Sequence, residues 1–83
     1  MHNLFRITFS TGQTFIAYSK ASLESFAYTL DYNSRKGNPI RPLHEAYNTA
    51  SSHSIILIGQ SSNPRLEKRN IISRENSILN IKF

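Results

Sequence analysis

The sequence contains no cysteine, and only five of its 83 residues are acidic. Without cysteine there are no disulfides, which secreted domains of this size usually need, so we expect a cytoplasmic protein. The longest apolar run, residues 55–58, is far too short to cross a bilayer. The first ten residues lack a long apolar run and a small-residue cleavage site, so they do not resemble a signal peptide.

The shortage of acidic residues leaves the chain strongly basic. Ten Lys and Arg residues oppose five Asp and Glu residues, giving a net charge of +5. Such a balance favours a polyanionic partner, with nucleic acid ahead of an anionic membrane surface or an acidic protein. Three histidines, His2, His44 and His53, show no metal-ligand spacing, so we predict no metal site and no cofactor.

The length predicts one domain, residues 1–83. A chain of this size buries only about 60–65% of its unfolded surface, so its stability is modest and homodimerisation would help it. Aromatic residues, at 11%, argue against a disordered chain because they supply buried surface.

The N-terminal third predicts a β-hairpin. In "NLFRITFS", Phe5, Ile7 and Phe9 alternate with polar residues, as in a half-buried strand. Gly12 suits a turn position with positive φ, and "TFIAYS" then predicts a second strand. The chain next changes to helical periodicity, and either Ser19 or Ser22 is suited to cap a helix that ends near Asn33. Apolar residues recur there at i, i+3, i+4 and i+7, namely Leu23, Phe26, Ala27 and Leu30.

The second half predicts a helix, a strand and another helix. "PLHEAYNTA" has helical periodicity, and "HSIILIG" is apolar on both faces, which suits a central strand covered on both sides. Asn63 and Pro64 are suited to start the last helix, which we expect to reach about Asn80. On that helix Glu75 would share a stripe with isoleucines. The predicted fold is α+β, order ββααβα, with a small three-stranded sheet.

The order of elements and several local motifs resemble the GIY-YIG nuclease family over about residues 4–80. "LFR" (4–6) and "FIA" (15–17) correspond to the two signature triplets, with Phe5 and Phe15 where the family has tyrosines. "RENSIL" corresponds to the segment whose glutamate binds the metal ion, which matches Glu75, and Asn80 matches a family asparagine. The resemblance implies a nuclease-like fold with a cleft formed by these positions.

The departures from the family pattern predict that catalysis has been lost. Phenylalanine has no hydroxyl to position or activate water. The helix of residues 21–32 has no arginine, and Ser25 or Phe26 stands at the family's arginine position. Without that guanidinium, nothing obvious stabilises charge on the scissile phosphate, and one carboxylate is a poor Mg²⁺ site. We therefore expect no enzymatic activity, with residual metal-dependent cleavage as an alternative.

Two basic segments predict phosphate contacts. One is the loop around residues 34–41 and the other is the last helix, and the planar guanidinium of arginine suits phosphate oxygens. The candidate nucleic-acid-binding residues are Arg35, Lys36, Arg41, Arg65, Lys68, Arg69 and Arg74. Tyr18, Tyr28 and Tyr32 are candidates for stacking on bases, which favours RNA slightly over DNA.

Two functions from different classes stay open. The first is a non-catalytic protein that binds nucleic acid mainly through the phosphate backbone. The second is a phage-type inhibitor or adaptor that binds a host protein, such as a defence nuclease or an RNA-cleaving toxin, alone or together with RNA. An exposed apolar patch would favour the second function, and a steep salt dependence without a protein partner would favour the first.

Overall fold

The computed structural model describes residues 1–35, 43–75 and 78–80. They form three helices and four strands, in the order β1, β2, α1, α2, β3, α3, β4. The strands are β1 (His2–Phe9), β2 (Thr14–Ser19), β3 (His53–Ser61) and β4 (Ile78–Asn80). The helices are α1 (Leu23–Arg35), α2 (Leu43–Thr49) and α3 (Pro64–Glu75). The predicted α+β class and the order ββααβα are confirmed.

The sheet is built around β1. The predicted small three-stranded sheet is present, with β2 and β3 both antiparallel to β1. Strand β4 adds a short parallel strand beside β2. The full order is β3-β1-β2-β4. The prediction that residues 53–59 form a central strand was wrong, because β3 lies at the edge of the sheet that the described strands form. Apolar residues on both faces of a strand do not reveal how many neighbouring strands it has.

The turn between β1 and β2 depends on Gly12, as the sequence predicts. Gly12 has a φ of 95°, which glycine adopts without the steric cost of a Cβ. Its amide donates to the carbonyl of Phe9 at 2.9 Å, and the amide of Phe9 donates to the carbonyl of Gln13 at 2.9 Å. This turn sets the register in which Phe5 lies opposite Ala17 and Ile7 lies opposite Phe15.

One face of the sheet packs against α1 and α2. Because successive side chains of a strand alternate between faces, Phe5, Ile7 and Phe9 of β1 point to this side together. The aromatic rings of Phe5 and Phe26 stack there at 4.3 Å. The buried cluster consists of Phe5, Ile7, Phe9, Phe15, Ala17, Phe26, Leu30, Leu43 and Ala46. We call this side the aromatic face.

The opposite face of the sheet packs against α3. Among the described side chains, its buried apolar cluster consists of Leu4, Ile16 and Ile71. Tyr18, Ile58 and Ile72 pack around it and are only partly buried. We call this side the α3 face. Within the described residues it holds fewer buried apolar side chains than the aromatic face, so we expect their contribution to stability to be smaller.

Helices α1 and α3 begin where local sequence signals predict, but they do not end where the sequence predicts. Ser22 caps α1, since its hydroxyl accepts a hydrogen bond from the amide of Ser25 at 3.2 Å. The helix continues to Arg35, two residues beyond the predicted end. Helix α3 starts at Pro64 as predicted, and the amide of Glu67 donates to the carbonyl of Asn63 at 3.1 Å.

The prediction that the last helix reaches Asn80 was wrong. Helix α3 ends at Glu75, and Ile78–Asn80 form β4. The outer edge of β2 offers unpaired backbone groups, and parallel pairing from Thr14↔Ile78 to Ile16↔Asn80 satisfies some of them. Ile78 and Leu79 therefore do not extend the helical stripe that the sequence suggested.

Candidate nucleic-acid interface

Helix α3 carries three exposed arginines. Arg65 and Arg69 lie four residues apart, which places them on adjacent turns of one helix face, and Arg74 follows in the last turn. All three are exposed. No ion pair is found for them among the described residues. Helix α3 has two acidic residues, Glu67 in its first turn and Glu75 at its last position. We call these three residues the α3 arginines.

Lys68 does not belong to this surface. Its side chain is only 3% exposed, and its ammonium lies 5.7 Å from the ring centre of Tyr18. That distance places it within reach of the ring's electron-rich face, a cation–π contact. The helical spacing of Lys68 from Ile71 and Ile72 explains the burial, because residues three and four apart share a face. Lys68 therefore contributes to packing under α3, and the prediction that it contacts phosphate was wrong.

The first basic segment lies away from α3. Arg35 ends α1, which packs on the aromatic face, and its Nε lies 3.2 Å from the Asp31 carboxylate. The Arg35 side chain is 70% exposed, so this i, i+4 pair is weak and leaves the guanidinium accessible to solvent. Lys36 and Arg41 lie outside the described residues. The described structure therefore does not join Arg35 and the α3 arginines into one surface.

Asp31 also links α1 to α2. The Tyr47 hydroxyl donates a hydrogen bond to the Asp31 carboxylate. This hydrogen bond, with a smaller contribution from burial and from the negative charge of Asp31, raises the pKa of Tyr47 above 10.0. No local sequence pattern predicts this contact, because the two residues belong to different helices. We interpret it as a structural contact between helices.

Two of the candidate stacking tyrosines are well exposed. Tyr28 is 72% exposed and Tyr32 is 51% exposed, and both lie on α1. With Asp31 and Arg35 they line an open depression of about 310 Å³. Tyr18 differs from them because it is only partly exposed, packs edge-on against His2 at 5.6 Å and lies near Lys68. Tyr28 and Tyr32 are therefore the accessible stacking candidates.

The positions that correspond to the nuclease tyrosines are core positions. Phe5 and Phe15 are each 0% exposed. Phe5 stacks on Phe26, and Phe15 packs edge-on against Phe9 at 5.6 Å. Phe26, one of the two residues at the family's arginine position, is 1% exposed. A phosphate cannot reach any of these side chains without unfolding the aromatic face.

The other two positions lie on different elements. Glu75 is the last residue of α3, which packs on the side of the sheet opposite Phe5 and Phe15. Asn80 pairs with Ile16 in β4 rather than continuing a helix. The side chains of Glu75 and Asn80 lie outside the described part of the structure. Within residues 1–35, 43–75 and 78–80, no group of three or more His, Asp or Glu side chains is arranged to hold a metal ion.

A feature that sequence reasoning missed is the exposed apolar surface of β3. Ile56 is 52% exposed and Leu57 is 50% exposed. They point to opposite faces of the sheet at its edge, where no further strand of the described structure pairs with β3. The apolar run in "HSIILIG" was visible in the sequence, but its position at an edge was not.

No protein-family model, curated protein or solved structure matches this chain. The likeness to GIY-YIG nucleases therefore stays a prediction that rests on the residues quoted above. None of the described helices is both long and apolar enough to span a membrane.

Proposed function

We propose that this protein is a small, non-catalytic nucleic-acid-binding protein of the cytoplasm, and that the α3 arginines contact the phosphate backbone. The observation that carries the proposal is the exposure of Arg65, Arg69 and Arg74 on one helix without an ion-pair partner among the described residues. Guanidinium groups that carry no internal ion pair keep their full charge for phosphate oxygens.

The charge of the whole chain supports the same proposal. A net charge of +5 attracts a polyanion over the range of a Debye length, before any contact forms. Contacts to phosphate carry no sequence information, so binding is expected to be sequence-tolerant. We assign a slight preference for RNA to Tyr28 and Tyr32, whose exposed rings suit stacking on unpaired bases.

Burial of the aromatic side chains supports the absence of catalysis. Phe5 and Phe15 have no hydroxyl and are enclosed in the core, so neither is available to activate water. The element order ββααβα is the feature that a degenerate GIY-YIG-like domain would keep, whereas the placement of Phe5 and Phe15 on the side opposite α3 does not form the family's common cleft.

The test is the salt dependence of binding to a fluorescent single-stranded RNA of about ten nucleotides, a length within the range that single small domains contact. Each phosphate contact contributes about 0.7 to the slope of log K against log salt concentration. The double variant Arg65→Ala/Arg69→Ala is expected to lower that slope by about 1.4. An unchanged slope would overturn the role of α3.

A matched control is Lys20→Ala, which removes the same charge from an exposed side chain between β2 and α1. Because Lys20 belongs neither to α3 nor to the depression that Tyr28 and Tyr32 line, we expect its loss to change the slope less than the loss of Arg65. Equal effects of Lys20→Ala and Arg65→Ala would mean that binding follows net charge alone and does not use a defined surface.

Catalysis is tested by incubating the protein with supercoiled DNA and with structured RNA in the presence of Mg²⁺ or Mn²⁺. We expect no cleavage above the buffer control. Cleavage that disappears in Glu75→Ala would instead establish a residual metal-dependent nuclease. A contaminating nuclease would be recognised because Glu75→Ala, purified in the same way, would retain the activity.

Binding to a protein partner is a second candidate function, and the exposed apolar pair Ile56 and Leu57 favours it. In this case the protein would act as an inhibitor or adaptor against a host nuclease or toxin. Salt separates the two functions: phosphate binding weakens steeply as salt rises, whereas an apolar contact changes little.

A further inference from the structure

Helix α1 presents an open depression that combines two aromatic rings with one acidic and one basic side chain. Tyr28, Asp31, Tyr32 and Arg35 line it. They are spaced three and four residues apart, which brings them to one face of the helix. The volume of about 310 Å³ lies at the lower end of the range of roughly 300–1,000 Å³ that small-molecule sites occupy. We call this feature the α1 depression, and its size suits a ligand such as a single nucleobase.

The Asp31 carboxylate is held in place from two sides. The hydroxyl of Tyr47, on α2, donates a hydrogen bond to Oδ1, and the Nε of Arg35 lies 3.2 Å from the same oxygen. The Asp31 side chain is nevertheless 37% exposed, so a ligand can reach it. Both contacts within the described residues use Oδ1, which leaves Oδ2 as an acceptor. A carboxylate that is fixed before binding loses little rotamer freedom when a ligand arrives.

The tyrosine rings and the carboxylate select different properties of a ligand. Tyr28 and Tyr32 are well exposed, and an accessible ring stacks on the face of any base, so the rings alone do not distinguish one base from another. The carboxylate does distinguish bases, because it accepts hydrogen bonds and donates none. The α1 depression therefore favours a flat aromatic ligand that carries N–H donors on its edge.

We propose that the α1 depression binds a guanine nucleotide, with the base stacked on the tyrosine rings and its N1–H and N2 amino groups donating to Asp31. Guanine has two adjacent donors on its Watson–Crick edge. Adenine and cytosine place a ring-nitrogen acceptor beside their amino group, and uracil places a carbonyl on each side of its single N–H donor, so these edges direct acceptors at the carboxylate. The exposed guanidinium of Arg35 supplies donors for the phosphate group of the same nucleotide.

Two sources could supply this ligand, a free guanine mononucleotide and a guanosine within an RNA strand. Both present the same base edge, and the second source rests on the proposed nucleic-acid-binding function. Helix α1 packs on the aromatic face, and α3 packs on the opposite face of the sheet. Base recognition at the α1 depression is thus separate from phosphate contact at the α3 arginines. It would give the protein a base preference that phosphate contacts alone do not supply.

The first test compares fluorescent oligouridine strands of about ten nucleotides, with and without one central guanosine. Fluorescence anisotropy with the whole chain gives the Kd of each strand. The guanosine strand is expected to bind on the order of tenfold more tightly, as for two hydrogen bonds that recognise one base. Equal affinity for the two strands would overturn the proposal. A strand with one central adenosine controls for the stronger stacking of purines, and if it binds as tightly as the guanosine strand, the carboxylate does not recognise the base and the proposal fails.

Asp31→Asn tests the carboxylate itself, since the amide replaces one acceptor oxygen by a donor. It is expected to reduce the guanosine preference from about tenfold to about twofold or less. The matched control is Glu24→Gln, which removes the same charge from an exposed residue of α1 outside the lining of the depression. It is expected to keep the preference, because a ratio of two affinities cancels the general effect of charge. Equal losses in the two variants would refute recognition by Asp31.

A second control addresses the contact between helices that Asp31→Asn also alters. Tyr47→Phe removes the donor to Oδ1 and leaves the carboxylate in place. It is expected to retain a clear guanosine preference. If Tyr47→Phe abolishes the preference as fully as Asp31→Asn does, the preference depends on how α1 packs against α2, which contradicts the proposal. A circular dichroism spectrum of each variant confirms that its fold is retained.

Guanosine monophosphate distinguishes the two sources. It is added at concentrations on the order of millimolar, where weak binding is detectable, and the tyrosine ring protons are followed by NMR. The rings of Tyr28 and Tyr32 are expected to shift more with this nucleotide than with uridine monophosphate, and Tyr28→Phe and Tyr32→Phe assign the signals. A Kd close to that of the guanosine strand identifies the free nucleotide as the ligand, and a much tighter strand identifies RNA. Shifts confined to Tyr18 would place the nucleotide elsewhere and overturn the site.

The outcomes separate this inference from the proposed function. The guanosine preference is a ratio of two affinities, whereas the role of the α3 arginines is measured by the salt slope. If Arg65→Ala/Arg69→Ala leaves the slope unchanged and the preference persists, the α1 depression is supported and the role of α3 fails. If the double variant lowers the slope as expected but no strand is preferred, this inference alone fails.

Discussion

The two faces of the sheet use the same strands but are built differently. The aromatic face buries nine apolar residues, including four phenylalanines, beneath α1 and α2. Among the described residues, the α3 face buries three apolar side chains and also encloses the ammonium-bearing side chain of Lys68. Stability is expected to come mainly from the aromatic face, since burial of apolar surface scales with area. The α3 face in turn supports the helix that carries the exposed arginines.

The sharpest test of this comparison is Phe26→Ala on the aromatic face. It removes a ring that is 1% exposed and stacks on Phe5, so we expect a loss of about 3–5 kcal/mol in the free energy of unfolding. Urea denaturation followed by circular dichroism measures the change. Tyr28→Ala is the matched control, an aromatic truncation on the same helix at 72% exposure, expected to change stability by less than about 0.5 kcal/mol. Similar losses in both variants would refute the assigned core.

On the other face, Ile71→Ala removes a 7%-exposed side chain from the small cluster under α3. We expect a loss of about 2 kcal/mol, at the low end for a buried isoleucine, because the surrounding side chains are only partly buried. The same denaturation experiment applies, with Leu66→Ala on the exposed side of α3 as control. A loss as large as that of Phe26→Ala would show that the two faces contribute equally.

The smallest effect is expected from Tyr47→Phe, which removes the hydrogen bond between α2 and α1 without changing the packed ring. A net loss of about 1 kcal/mol is expected at neutral pH. This loss in the free energy of unfolding should become smaller at alkaline pH, because the pKa of Tyr47 is raised in the folded protein. The folded protein keeps a proton that the unfolded chain releases near pH 10.0, so this stabilisation is complete below that pH and falls as pH rises further.

Unfolding measured between neutral pH and pH 11 would check this prediction. The difference between the natural protein and Tyr47→Phe should narrow above about pH 10, the ordinary range of a tyrosine. If the difference in the free energy of unfolding stays constant across this range, the hydrogen bond to Asp31 does not raise the pKa of Tyr47 in the folded protein.

Much of the fold could be predicted because its signals are local. Alternation in β1, the glycine at the turn, the serine before α1 and Pro64 at the start of α3 each act within a few residues. The end of α3 could not be predicted in this way. Ile78 and Leu79 fit a helical stripe, but pairing with the edge of β2 places them in a strand, which depends on contacts far away in the sequence.

The candidate site was predictable in part for the same reason. The residue types on α3 identified a basic helix, and Arg65, Arg69 and Arg74 are exposed as expected. The sequence did not distinguish Lys68 from them, since a lysine beside arginines resembles another surface cation. Its burial against Tyr18 depends on how α3 rests on the sheet.

The sequence by itself determined the α+β class, the hairpin, the starts of the helices and the excess of positive charge, because each depends on composition or on neighbouring residues. Only the tertiary structure decided that β3 lies at an edge, that Phe5 and Phe15 are enclosed, and that α3 stands on the opposite face from Arg35. These properties depend on which strand pairs with which and which face each helix covers. Such choices come from packing between distant segments, which one-dimensional periodicity does not encode.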